Sequence, residues 1–129
     1  MLNDPLAAVL SKIMNAERVG KREVMLVPAS KMIKKVLSLL QERSYVGGYE
    51  EIEDGRGTIL KLSLLGNINK CGVVKPRFST KKNEFEKWEK RYLPAKDFGV
   101  IVVSTPQGVM THLDAKQKNI GGKLLAYCY

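Results

Sequence analysis

Asp54-Gly-Arg-Gly-Thr-Ile-Leu-Lys-Leu-Ser-Leu-Leu65 is the stretch on which the fold turns. Asp-Gly is a strong two-strand turn signal, because its residues tolerate the left-handed backbone that tight hairpins need. Leu60, Leu62 and Leu64 then alternate with Lys61 and Ser63. Period two means one buried face and one wet face. Tyr45 to Glu53 precedes the turn and supplies the other arm of the hairpin. Its acids Glu50, Glu51 and Glu53, with Asp54, make it a poor surface for a polyanion. The reading is a solvated edge that discourages unwanted strand pairing.

Two helices and a short strand lie upstream. Asp4-Pro5 is an N-cap followed by proline at the first helical position. Leu6, Val9, Leu10, Ile13 and Met14 form one apolar stripe, and Gly20 ends the helix. Val24 to Val27 reads as a strand stopped by Pro28. Ser30 caps a second helix whose buried face is Ile33, Val36, Leu37 and Leu40, helped by Met32 and Leu39. Lys31 falls in its first turn, where the helix dipole disfavours a cation unless an anion is near. The first half is therefore α-β-α-β-β, a small sheet covered by two helices.

The turn-rich Gly66-Asn-Ile-Asn-Lys70 separates two domains, 1–66 and 67–129. Downstream, Cys71 to Lys75 reads as a strand ended by Pro76. Glu84 to Tyr92 reads as an amphipathic helix with Phe85, Trp88 and Tyr92 turned inward as core. Gly99 to Ser104 is an apolar strand that delivers Ser104-Thr-Pro-Gln-Gly108 onto a loop, and the loop is expected to feed a helix start. Thr111 and Asp114 resemble a capping box with Asp in place of Glu. Asn119 and Gly121 end that helix, and Lys123 to Tyr129 is a final strand. The fold class is mixed α/β (α+β): two small two-layer domains, the second mainly β with short helices.

Net charge is +9, and it is unevenly placed. Residues 1–66 carry 10 basic and 8 acidic groups, whereas residues 67–129 carry 12 and 5. The second domain therefore supplies most of the field that would attract a polyanion. Hydroxyls, exposed backbone N–H groups and positive charge suit phosphate and ribose. Catalysis is poorly served. His112 is the one histidine and has no base-and-nucleophile pattern around it, so a helix-terminal polar role is the simpler reading. A small hydrolase or nucleotide-binding enzyme built around His112 is the alternative of another class. Cys71 and Cys128 lack CxxC spacing and read as free thiols, Cys128 as a core residue. No metal, cofactor or catalytic residue is expected. The longest apolar runs are too short to span a bilayer, and Asn3, Asp4 and Pro5 do not suit a signal peptide.

Several short segments, in order, resemble one family. They are Asp4-Pro-Leu-Ala7, Asn15-Ala16, Pro28-Ala-Ser-Lys31, Ile52 to Gly57, Lys75-Pro-Arg77, Ser104 to Met110, and Gly121-Gly122. The chain is similar to the universal small-subunit ribosomal protein eight family over nearly its whole length. Asn69 to Gly72, Phe78 to Pro94 and Ala126-Tyr-Cys-Tyr129 resemble the archaeal or eukaryotic type. The resemblance implies a structural protein of the cytoplasmic ribosome that binds the central domain of small-subunit rRNA directly and early in assembly. RNA helices of this kind are read by shape, ribose hydroxyls and phosphates. By the same resemblance, Ser104, Thr105, Gln107 and Gly108 fall in the main RNA-contact loop, and Gly121, Gly122 and Lys123 in a second contact region. Asn15 and Lys31 match contacts from the first domain. Pro106 stands where bacterial members carry a hydroxyl, and Lys123 where they carry an acid. Neighbouring small-subunit proteins are the other implied partners, with a monomer off the ribosome and no membrane or small-molecule substrate. The alternative is a translational regulator that binds an mRNA hairpin mimicking the rRNA site.

Overall fold

The computed structural model describes residues 5–27, 31–53, 55, 57–75, 77–95 and 98–129. The expected caps Asp4 and Ser30, the turn residues Asp54 and Arg56, and the strand-ending Pro28 and Pro76 lie outside the described residues. The chain is a mixed α+β protein that divides into two compact units, Met1–Lys70 and Cys71–Tyr129.

The first unit holds α1 (Pro5–Arg18), β1 (Glu23–Leu26), α2 (Lys31–Glu42), β2 (Val46–Glu53) and β3 (Thr58–Leu64). Its antiparallel sheet has the order β1-β3-β2. Leu60 and Leu62 are fully buried, as the alternation predicts, and so are Leu6 and Ile13 of α1 and Ile33 and Leu37 of α2. Burying each such side chain stabilises the fold by about 1.5–3 kcal/mol. Met14, expected on the α1 stripe, is only half-buried, and Ala16 takes the buried place. A one-turn advance at 3.6 residues per turn carries the stripe toward Ala16. Lys34 of α2 is ion-paired with Glu51 of β2. That hydrogen bond holds the lysine above its ordinary pKa.

Both long helices of this unit close with paired backbone hydrogen bonds. Gly20 N donates to Glu17 O at 3.1 Å and Lys21 N to Ala16 O at 3.0 Å. Ser44 N donates to Gln41 O and Tyr45 N to Leu40 O, each at 3.0 Å. These 5→2 and 6→1 pairs satisfy carbonyls the helix leaves open. Ser44 adopts φ +62 to make the second pair. Gly66 N donates to Glu17 Oε1 and Asn67 Nδ2 to Ser44 O, so the turn read as the joint is tied back to the first unit.

The second unit holds β4 (Cys71–Val73), β5 (Ser79–Thr80), α3 (Phe85–Tyr92), β6 (Val100–Thr105), β7 (Gly108–Thr111), α4 (His112–Gln117) and β8 (Gly122–Cys128). The sheet order is β4-β8-β6-β7, with β5 also paired to β8. Phe85, Trp88 and Leu93 pack with Ile101, Val103, Met110 and Leu124. The aromatic stripe of α3 is thus core, as its spacing predicts. Cys71 and Cys128 are partners across β4 and β8, and both are buried.

One expectation is corrected. Ser104 and Thr105 do not lie on a strand-to-helix loop. They end β6, and the chain turns straight back through Pro106-Gln107 into β7, with Thr105 opposite Gly108. The reason is visible in Thr-Pro-Gln-Gly itself: proline at the second and glycine at the fourth position favour a reverse turn. The helix start comes one strand later. There Thr111 caps α4 by accepting from Asp114 N at 3.3 Å.

Candidate RNA interface

The β6–β7 turn has an unusual construction. Two-residue hairpins favour turns with φ > 0 at the first central residue. Pro106 forbids that, since its ring fixes φ near −65°. Thr105 compensates: its Oγ1 accepts from Gln107 N at 3.2 Å and donates to Gly108 O at 2.8 Å. Gly108 sits at φ +120, with open space where a Cβ would stand. Pro106, Gln107 and Gly108 are exposed, whereas Thr105 is buried. The Gln107 amide is therefore presented outward, and the Thr105 hydroxyl proton is committed to the turn.

Beside this tip, the sheet register aligns side chains from four strands. Ser104 is opposite Val109 of β7 on one side and Lys123 of β8 on the other, and Lys123 is opposite Ser79 of β5. Partners in register point to the same face. The result is a hydroxyl–ammonium–hydroxyl row, with Ser79 and Lys123 exposed and Ser104 half-buried. Two hydroxyls beside one cation suit a phosphodiester flanked by ribose hydroxyls.

Gly121 and Gly122 make this alignment possible by close backbone approach. A Cβ on Gly122 would stand 2.2 Å from Ser104 O, and one on Gly121 would stand 2.2 Å from Thr80 O and 3.0 Å from Lys81 Cα. Their absence of side chains lets β8 press against β6 on one side and the start of the Lys81-Lys82 segment on the other. A bulge follows: Val102 is opposite Ala126 but Val103 is opposite Leu124. The carbonyl of the extra residue, Leu125, accepts from Val74 N at 3.0 Å. The glycine pair thus has a role inside the sheet whatever it touches outside.

The structure brings Ser104, Thr105, Gln107, Gly108, Gly121, Gly122 and Lys123 together. Asn15 and Lys31 belong to the first unit. Asn15 is exposed on α1 and lines a groove with Lys12, Lys21 and Met25, where Lys12 Nζ donates to Met25 O at 3.2 Å. Lys31 is the exposed first residue of α2. Sequence reasoning missed Ser79, because a two-residue strand leaves no periodicity to read.

His112 is not available as a base. It is 1% exposed; Nδ1 accepts from Ile101 N at 3.0 Å, and Nε2 lies 3.3 Å from Glu89 Oε1. An Nδ1 that accepts leaves the ring proton on Nε2, facing the carboxylate. Lys116 closes on the same oxygen. Glu89, buried on α3, therefore ties that helix to α4. Among the described residues no group of His, Cys, Asp and Glu could hold a metal ion, and no helix is long and apolar enough to cross a membrane.

Over residues 4–129 the sequence matches the family described as Ribosomal protein S8. A match of that extent covers both units, including the hairpin, the glycine pair and the hydroxyl–lysine row. The chain belongs to the ribosomal protein S8 family, the rRNA-binding structural proteins of the small ribosomal subunit.

Proposed function

We propose that this chain binds the central domain of small-subunit rRNA directly and helps to assemble the subunit, and that it is of the archaeal or eukaryotic type. The observation that carries the RNA surface is the row Ser79–Lys123–Ser104 beside the exposed Gln107 tip. Lys123 meets phosphate, Ser104 and Ser79 meet ribose or phosphate oxygens, and Gln107 reads a base edge or ribose from the turn. Gly108 allows close approach of the RNA backbone to the turn. Thr105 contributes mainly by holding the turn, with one oxygen lone pair left to accept. Gly121 and Gly122 set the strand spacing. Asn15 and Lys31 contact the RNA backbone from the first unit.

The test is a titration against a central-domain rRNA fragment, beside a generic duplex of equal length, at several salt concentrations. Tight binding to the fragment that survives salt removing the duplex is expected. Lys123→Ala should lower the log–log salt slope by about 0.7–0.9, the value of one phosphate contact. Gln107→Ala should weaken the fragment more than the duplex. Equal, steeply salt-sensitive binding to both RNAs would refute the shape-specific reading. Unchanged fragment affinity in both variants would refute the residue assignment.

A further inference from the structure

The first unit carries a feature that RNA binding does not use. β2 is an edge strand: among the described residues it pairs only with β3. Its outer half, Glu50 to Glu53, is exposed. Three of those four residues are glutamates in a chain of net charge +9. Glu51 is matched by Lys34 of α2. Lys61, opposite Glu50 on β3, is already ion-paired with Glu23 at 3.2 Å. Among the described residues, Glu50 and Glu53 are left as the excess negative charge of the strand. Between them Ile52 is 38% exposed and lies opposite half-buried Ile59.

We propose that the outer edge of β2 takes a basic extended segment of another protein as an added antiparallel strand, with its lysines or arginines opposite Glu50 and Glu53 and an apolar side chain against Ile52. An unpaired edge offers main-chain hydrogen bonds for such addition, and the side chains set the selectivity. Charge decides the occupant. RNA phosphates would meet carboxylates here, which excludes the ligand that the second unit is built for. A second copy of this chain would set the same glutamates against each other, and like charges directly opposite are destabilising. The acids therefore blunt self-pairing while admitting a cationic strand.

The test places photoreactive p-benzoylphenylalanine at Ile52 of the full chain, assembles it into small subunits and irradiates them. An adduct is expected that resists ribonuclease, is cut by trypsin and maps to a segment with more Lys and Arg than Asp and Glu. The double variant Glu50→Lys, Glu53→Lys should reduce its yield about tenfold, since each cross-strand pair turns from attraction to repulsion. The same variant should leave binding to the rRNA fragment unchanged, which separates this result from failure of the RNA reading. An adduct to RNA, an adduct to an acidic segment, a yield indifferent to charge reversal, or no adduct in subunits that contain the chain would each overturn the proposal. The purified chain gives an independent readout. On titration with an octapeptide centred on Lys-Val-Thr-Lys, which sets lysines opposite Glu53 and Glu50 and valine opposite Ile52, amide shifts are expected at residues 48–53. Shifts confined elsewhere, or none, would also overturn it.

Discussion

Replacing Gly122 by alanine separates a glycine that shapes the sheet from one that only shapes the turn. In Gly122→Ala the new methyl would stand 2.2 Å from Ser104 O, 2.9 Å from Ser104 C and 3.0 Å from Val103 Cγ1. Two of these neighbours are backbone, so no rotamer change relieves the clash. β8 and β6 must part by about 1 Å to restore ordinary contact. Overpacking of this kind costs about 1–3 kcal/mol. A disturbed ladder hydrogen bond adds about 1 kcal/mol. The expected loss is about 3 kcal/mol, a large share of the stability of a small domain. Gly108→Ala is the comparison: nothing lies within 4 Å of its Cβ, so only the strain of φ +120 acts. That costs about 1 kcal/mol. Trp88 is the sole tryptophan and lies in the core of the second unit, so its fluorescence reports unfolding of that unit. With a urea slope near 1 kcal/mol/M, Gly122→Ala should lower the midpoint by about 3 M and Gly108→Ala by about 1 M. If Gly122→Ala proves no more destabilising than Gly108→Ala, the close-approach argument fails.

Four further outcomes follow from named contacts. Glu89→Ala should destabilise the second unit by about 2 kcal/mol, because buried His112, together with Lys116, loses the carboxylate they share. A double-mutant cycle with Lys116→Ala should show positive coupling, and additivity would contradict the shared carboxylate. Long-range ¹⁵N–¹H correlation spectra at neutral pH should place the His112 proton on Nε2; a proton on Nδ1 would contradict the bond from Ile101 N. Thr105→Val should cost about 1–2 kcal/mol by removing both turn bonds, while Thr105→Ser should stay within about 0.5 kcal/mol of the parent in the same melt.

Much of the fold is legible in periodicity. The Leu60-Leu62-Leu64 alternation, the stripes of α1 and α2 and the aromatic face of α3 all rest on local spacing that burial then enforces. The missed features each depend on something non-local or on a small signal. Ser44 closes α2 at φ +62, a conformation serine seldom adopts, so no glycine stands at that position to mark the end. Thr105-Pro-Gln-Gly108 has the composition of a reverse turn, but the adjoining hydroxyls of Ser104 and Thr105 suit a loop equally well. Two strands instead meet there because β7 pairs with β6 and buries Met110 in the core. Glu89 falls between Phe85 and Tyr92 on the inward face of α3, yet its partners lie 23 and 27 residues further along. No spacing within α3 announces them. Among the candidate RNA residues, Ser104, Gln107 and Lys123 could be named from sequence. That Lys123 stands between two serines required the register.

The order of strands also bears on biosynthesis. β8 pairs with β4 and β5 along one edge and with β6 along the other, so it is the hub of its sheet. It is nevertheless made after every strand it joins. A nascent chain that has reached α4 holds the β6–β7 hairpin but has neither Lys123 nor the glycines that space it from Ser104 and Thr80. Long-range pairing of this kind closes late in folding. The first unit, whose sheet is complete by Leu64, can form while the second is still being translated. The hydroxyl–lysine row to which we assign RNA contact is therefore complete only when the ribosome making this chain has passed residue 128.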